Sequence, residues 1–302
     1  MKISLIGYGE VGRILAEDLA PHGHALRAFD LKLADEAGAA AKAMRAHAAA
    51  HRVTLAASHA DAVRDAELVI SAVTASQAVP VAAACAPAIA AKAFFLDFNS
   101  ASPGAKIAAA GLIADAGGLY VEGAVMTSVP PYRIKVPLLL GGPHAATLAP
   151  LLRALGFSPK VASERLGVAS ATKMCRSVMI KGLEAMVIES FTTARHYGVE
   201  DQVLASLTET FPAIDWEKQG AYFFQRVIEH GRRRSEEVRE VAVTVREAGL
   251  TPWSAGGTAE RQAWMADLAD EGLFGVKTQA GFARQTDWRV EADRILQHLK
   301  KS

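Results

Sequence analysis

Three glycines stand near the start of the chain in the run Gly7-Tyr8-Gly9-Glu10-Val11-Gly12. The run follows an apolar stretch, residues 3–6, and opens a helical pattern over residues 11–19. That strand–turn–helix context is what a dinucleotide fingerprint requires. Gly7 permits the tight turn, Gly9 lets the backbone approach a pyrophosphate, and Gly12 lets helix and strand pack closely. Free amides at the helix N-terminus then bind phosphate. The required acid is Asp30, at the end of the second apolar run and about 20 residues beyond the motif. Its carboxylate suits ribose hydroxyls and repels a 2′-phosphate, so NAD is expected rather than NADP, with Lys32 partly offsetting the repulsion. The alternative is a plain tight turn with Asp30 as a turn residue. Val73-Thr74 and Asn99-Ser100 leave two further strands, at carboxyl ends where open α/β sheets bind ligands. Asn99 and Ser100 also suit helix capping before Pro103, and the two roles can coexist.

A second set of polar residues lies on a helical pattern over residues 166–197, which ends at Gly198 with Arg195 and His196 in its last turn. Helical spacing puts Lys173, Arg176, Ser177 and Glu184 on one line. The rest of the segment is apolar, with Val168, Met174, Val178, Met179, Leu183, Met186 and Val187. Apolar surroundings disfavour a charged amine, which suits a base at neutral pH. Periodicity alone leaves open a lysine that reaches solvent or pairs with an acid. His230-Gly231-Arg232-Arg233-Arg234 is the other candidate for holding an anion, since arginine offers a planar fork. Arg233 and Glu237 are also spaced for an ordinary surface pair on a solvated helix face. Trp216, Tyr222, Phe223 and Phe224 read as core or dimer contact.

The elements that must position these residues change type along the chain. Strands are expected at residues 3–6, 25–29, 53–56, 68–73, 94–97, 120–125 and 136–140, and helices at 11–19, 34–50, 79–91 and 103–114. This alternation predicts a doubly wound, mostly parallel Rossmann sheet covered on both faces. After about residue 163 the strand patterns stop and helical ones take over, including residues 232–248 before Gly249. The reading is an α/β Rossmann domain, 1–163, followed by an all-α domain, 164–302, joined by a continuous helix rather than a flexible tether.

With 302 residues, 51% hydrophobic and 22% charged, the chain has ample apolar material for two cores. A formal net charge of +1 gives no electrostatic case for nucleic acid or an anionic membrane. Cys85 and Cys175 are far apart with no ligand-like spacing, so neither disulfides nor a metal are expected and a reducing compartment is. The first apolar run is too short for a signal peptide. The stretch 78–96 is interrupted by Pro80, Pro87 and Lys92, which argues against a membrane span. A cytoplasmic protein is expected.

Four segments, the glycine run and residues 97–103, 122–142 and 167–177, resemble the β-hydroxyacid dehydrogenase family, which includes 3-hydroxyisobutyrate, tartronate semialdehyde and 6-phosphogluconate dehydrogenases. The last third looks more like an uncharacterised helical domain carried by some bacterial members. The resemblance implies that Lys173 is the catalytic acid/base, exchanging a proton with the substrate hydroxyl while hydride passes between carbinol carbon and nicotinamide. It also implies a homodimer. Two departures bear on the substrate. Ser177, with Arg176 before it, stands where the family has asparagine, and Ala124-Val125-Met126-Thr127-Ser128 stands where it has Pro-Val-Ser-Gly-Gly. Backbone amides at Thr127 and Ser128 are expected to hold a carboxylate beside a bulkier, more apolar wall at Met126. His230 and Arg233 are expected to assist. The substrate expected is a 3-hydroxy acid with a hydrophobic portion. The rivals are an imine reductase, which on this scaffold generally lacks the lysine, a decarboxylating phosphosugar dehydrogenase, whose phosphate only residues 232–234 offer to bind, and a non-catalytic NAD sensor.

Overall fold

The computed structural model describes residues 1–278 and 281–301, in two compact units, Met1–Met174 and Cys175–Ser302. In the first, β1 (Lys2–Ile6) leads through the glycine turn into α1 (Glu10–Leu19), followed by β2 (Ala25–Phe29), α2 (Ala39–Ala50), β3 (Thr54–Leu55) and the short α3 (His59–Val63). The alternation continues with β4 (Leu68–Ser71), α4 (Ala78–Cys85), β5 (Phe94–Asp97), α5 (Pro103–Asp115) and β6 (Leu119–Val125). Then come β7 (Pro137–Gly141), α6 (Ala145–Ala154), β8 (Ser158–Ser163) and the start of α7 (Val168–Tyr197).

The eight strands form one sheet in the order β3-β2-β1-β4-β5-β6-β7-β8. Every neighbour pair is parallel except β6 with β7. The link from β6 to β7 carries only a 3-10 turn, Arg133–Lys135, and no crossover helix, so the chain returns antiparallel. Successive strand residues face opposite cores. Ile3, Leu5, Leu68, Ile70 and Leu96 pack with α1, α2 and α6, whereas Ile6, Val69 and Phe95 pack with α3, α4 and α5. Burial on both faces explains the near-continuous apolar strands.

All seven expected strands form. The eighth, β8, was not foreseen, because Pro159 and Lys160 break its apolar pattern. It is an edge strand, where a proline costs little. α3 and α6 were likewise unforeseen. The division between the units falls inside α7, after Met174, whereas the expected boundary at 163 falls at the end of β8.

The second unit holds the rest of α7 with α8 (Glu200–Thr210), α9 (Trp216–Glu247), α10 (Trp253–Asp270) and α11 (Trp288–Leu299). The pattern read as a helix over 232–248 is the second half of α9, which begins at Trp216. Gly231 does not end a helix. A Cβ there would lie 2.8 Å from the Gln262 carbonyl oxygen, so the glycine lets α10 pass close to α9. Phe191, Trp216, Phe224, Val227 and Trp288 centre this core, and Tyr222 is exposed. Among the described residues no helix is long and apolar enough to cross a membrane.

Candidate functional site

The sheet order reverses between β1 and β4, and the glycine turn sits there. Gly7 has φ +92°, and a Cβ on it would lie 2.4 Å from the Ala72 carbonyl oxygen just beyond β4. A Cβ on Gly12 would lie 2.1 Å from the Gly7 carbonyl oxygen. These two glycines are demanded by the turn itself. At Gly9 a Cβ meets no protein atom within 4 Å. Gly9 is also the N-cap of α1 and brings no side chain to cap it. The first-turn amides, at Glu10, Val11 and Gly12, thus lie at a helix end that no side chain closes, the arrangement that suits a pyrophosphate. The turn therefore fits a dinucleotide.

Asp30 is half-buried and fastens this turn. Its Oδ2 accepts the Tyr8 N–H (2.9 Å) and its Oδ1 accepts the Lys32 N–H (2.9 Å). Each oxygen keeps a second lone pair for a ligand hydroxyl. Tyr8 offers a ligand neither ring nor amide in this arrangement. Its ring is fully buried, its hydroxyl hydrogen-bonds His47 Nδ1 (2.8 Å), and burial pushes its phenol pKa up to about 12.

A second polar layer crosses the sheet in one row. Register aligns Ile6 with Ser71, Ser71 with Asp97, and Asp97 with Glu122. Asn99, just past β5, links the strands. Its Oδ1 accepts the Val73 N–H (2.7 Å), its Nδ2 donates to Ser71 Oγ (3.0 Å), and its N–H donates to Asp97 Oδ1 (2.8 Å). Asp97 is wholly buried. It is held by Lys106 Nζ (2.9 Å to Oδ1) and by the Tyr120 hydroxyl (2.7 Å to Oδ2), and burial beside that carboxylate raises the Tyr120 phenol well above its ordinary range. The α5 cap is Ser102, whose Oγ accepts the Ala105 N–H, so capping does not account for Asn99 or Ser100.

Ser100 instead accepts a hydrogen bond from Lys173 Nζ at 2.6 Å. The amine is half-buried and stands at the carboxyl edge of the sheet, just beyond β5. The helix that carries it is fixed at its start by Glu122, wholly buried on β6. Glu122 Oε1 accepts the Ala169 N–H (2.9 Å) and Oε2 accepts the Ser170 hydroxyl (2.9 Å). A Cβ on Gly141 would come within 2.1 Å of Glu122 Oε1, so that glycine makes room for the carboxylate. Asn99, Lys106, Glu122, Gly123, Ser170 and Lys173 line one recess.

Met126 and Ser128 are half-buried and Thr127 is exposed, all just past β6 at the same sheet edge. The Met126 amide pairs with the Pro137 carbonyl oxygen (3.0 Å). Thr74 lies beyond β4. The remaining expected residues belong to the helical unit. Arg176 is exposed and Ser177 buried. The basic run is paired throughout: Arg232 with Asp267 (2.7 Å) and Asp270 (2.6 Å), Arg233 with Glu237, and Arg234 with the buried Glu184. It therefore offers no unshared fork, and Arg233–Glu237 is the ordinary surface pair. Glu184 also takes Arg226 (3.2 Å) and Gln262 (3.1 Å). His230 is neutral at physiological pH, since burial and then the Arg233 charge lower its pKa to about 4.

Sequence reasoning did not single out Lys106, Tyr120, Glu122 or Ser170. A lone lysine in the alanine-rich α5 reads as solvent-facing, and nothing local marks its partner Asp97 as buried.

The model of the NAD binding domain of 6-phosphogluconate dehydrogenase matches residues 2–157, and a domain of unknown function, DUF1932, matches residues 194–265. A conserved hypothetical protein from Sinorhizobium meliloti is 36% identical, over 98% of this chain and 96% of its own, with a TM-score of 0.77. An uncharacterized 28.5 kDa protein from Methanothermus fervidus is 27% identical over 83% of this chain and 94% of its own length. The 3-hydroxyisobutyrate dehydrogenase of Mycobacterium tuberculosis, solved with L-serine, shares the fold at 18% identity, covering 97% of this chain and 98% of its own, with a TM-score of 0.67.

Proposed function

Because the chain belongs to the family of the NAD binding domain of 6-phosphogluconate dehydrogenase, we propose that it is an NAD-dependent dehydrogenase of a 3-hydroxy acid with a hydrophobic portion. Bound NAD would supply the nicotinamide that accepts or returns a hydride. The chain's own part starts with the glycine turn, where the α1 amides hold the pyrophosphate and Asp30 takes the ribose hydroxyls. Asp30 also sets the preference for NAD over NADP, because its carboxylate repels a 2′-phosphate. Val73, Thr74 and Asn99 form the edge beside the nicotinamide half.

Lys173 carries the proton. As a neutral amine its Nζ takes the proton from the substrate hydroxyl, and as an ammonium it returns one to the alkoxide in the reverse direction. Ser100 holds Nζ where β5 ends, and the Glu122 cap fixes the helix beneath it. The Thr127 and Ser128 amides serve the substrate carboxylate, and Met126 supplies an apolar wall; Arg233, already paired with Glu237, and the neutral His230 are not assigned to it. Residues 1–163 serve the cofactor, and the helical domain, 164–302, serves substrate binding and a cytoplasmic homodimer.

The observation that carries this reading is the 2.6 Å hydrogen bond from Lys173 to Ser100 at the carboxyl edge of the sheet. Lys173→Ala should lose at least 100-fold in turnover, in line with removal of a general acid/base, with NADH affinity nearly unchanged. A panel of 3-hydroxy acids with NAD gives the readout, and near-normal turnover in that variant defeats the proposal.

A further inference from the structure

We propose that Glu17 on α1 and His47 and His51 on α2 form a binding site for a divalent transition metal of the zinc type, next to the glycine turn. The two imidazoles are one helical turn apart and stack with centroids 4.4 Å apart at 28°. One ring nitrogen of each and a Glu17 oxygen lie within 4.8 Å of one another. His47 Nε2 is 3.0 Å from Glu17 Oε1. Zinc bonded to a nitrogen and an oxygen at about 2.0–2.1 Å each in tetrahedral geometry separates them by about 3.3 Å. The pair need open by only a few tenths of an ångström to admit the ion. His51 completes the set by side-chain rotation, since it is the C-cap of α2, where the backbone already leaves the helix.

Two surrounding features favour a cation here, the helix end and the Tyr8 contact, and a third, Arg133 with its charge shared by Asp18, orients the carboxylate. The site lies at the carbonyl end of α2, the negative end of the helix dipole. The other Glu17 oxygen, Oε2, is held by Arg133 Nη2 (2.6 Å), which in turn is tied to Asp18 (2.8 Å), so the carboxylate presents Oε1 in a fixed orientation. The second nitrogen of His47 faces the Tyr8 hydroxyl at 2.8 Å. With metal on Nε2, the His47 proton resides on Nδ1 and donates to Tyr8 Oη, the outer-sphere bond that orients a ligating histidine. Two imidazoles and one carboxylate suit zinc, nickel or cobalt better than calcium or magnesium, which prefer all-oxygen sites.

The test uses the full-length, untagged, chelator-treated protein. Cobalt is added while its visible absorption is recorded, and zinc binding is followed by calorimetry. One equivalent of cobalt should give the intense bands of a four-coordinate site and be displaced by zinc. His51→Ala and Glu17→Gln should each weaken zinc by at least about tenfold, the lower end for loss of an outer-sphere partner alone. Tyr8→Phe should weaken it by about tenfold. Cys175→Ser, at the exposed cysteine, should bind as the unmodified protein does. Absence of saturable binding below millimolar metal overturns the proposal, and so does binding that His51→Ala and Glu17→Gln leave intact or that Cys175→Ser abolishes.

Discussion

Alanine at Gly9 and alanine at Gly7 should have opposite effects, although both remove a glycine from the same turn. Gly9 has φ −75°, which any residue adopts, and its added methyl would meet no protein atom within 4 Å. Loss of a favourable N-cap and gain in chain stiffness are each below about 1 kcal/mol and of opposite sign, so stability should hold to within about 1 kcal/mol. Gly7 has φ +92°, and its methyl would press into the Ala72 carbonyl oxygen at 2.4 Å. Left-handed backbone costs a side-chain-bearing residue about 1–2 kcal/mol and overpacking about 1–3 kcal/mol, together about 2–5 kcal/mol. Gly7→Ala should therefore destabilise the Rossmann unit, whereas Gly9→Ala should fold normally and bind the cofactor more weakly.

The expected binding loss at Gly9 is at least tenfold, about 1.4 kcal/mol, because the methyl stands where a pyrophosphate must approach. NADH fluorescence titration measures it. Stability must be read by far-UV circular dichroism or hydrogen exchange in β1 and β4, because all four tryptophans (Trp216, Trp253, Trp264 and Trp288) lie in the helical unit. Gly9→Ala protein that binds NADH normally, or that unfolds as readily as Gly7→Ala, would refute the assignment of separate tasks to these glycines.

Asp30→Ser should raise KM for NAD by tenfold or more and narrow the gap to NADP, measured as kcat/KM with each cofactor. Glu122→Ala leaves the buried Ala169 amide unpaired and should lower stability by about 2–4 kcal/mol. Glu122→Gln should cost only about 1 kcal/mol, since the Ser170 hydroxyl already reaches the Gly167 carbonyl oxygen (3.1 Å) and can turn to it; exchange rates at residues 169–171 report both. His230 has its folded pKa depressed from about 6.5 to about 4. Its contribution to stability is therefore complete above pH 6.5 and is lost as pH falls toward 4, so the tryptophan-monitored urea midpoint should fall more between pH 6.5 and 4 than it does in His230→Gln.

The Rossmann half was legible because its signals are local. Strands buried on both faces read as unbroken apolar runs, and the glycine motif announces its turn. β8 escaped because an edge strand tolerates Pro159, and the pattern over 232–248 covers only the second half of α9, in which Gly231 lies where α10 passes close. Lys173 and Ser100 were both named, but their hydrogen bond joins residues 73 apart and no spacing rule connects them. No spacing rule connects Lys106 with Asp97, or Glu122 with Ala169 and Ser170, either. The arginine run misled in the other direction. It reads as a basic patch, yet Glu237, Asp267, Asp270 and Glu184 answer it from the same and neighbouring helices.

Why a sheet this apolar should carry Ser71, Asp97 and Glu122 in one row follows from what lies beyond it. Ser71 and Asp97 end β4 and β5, where the following loops present amides needing partners, whereas Glu122 lies within β6 and meets the start of α7. Asp97 takes the Asn99 amide, Asn99 takes the Val73 amide, and Glu122 takes the first turn of α7. A buried carboxylate is costly unless paired, and Lys106 with Tyr120 meets that cost at Asp97. The row thus acts as an internal cap on the loops after β4 and β5 and on the first turn of α7. Ser100 is fixed from below through Asn99 and Asp97, and Lys173 is fixed through the Glu122 cap, so two independent supports converge on one 2.6 Å hydrogen bond. The proposed role of Lys173 requires such double restraint, because a loosely held lysine loses most of the advantage of proximity.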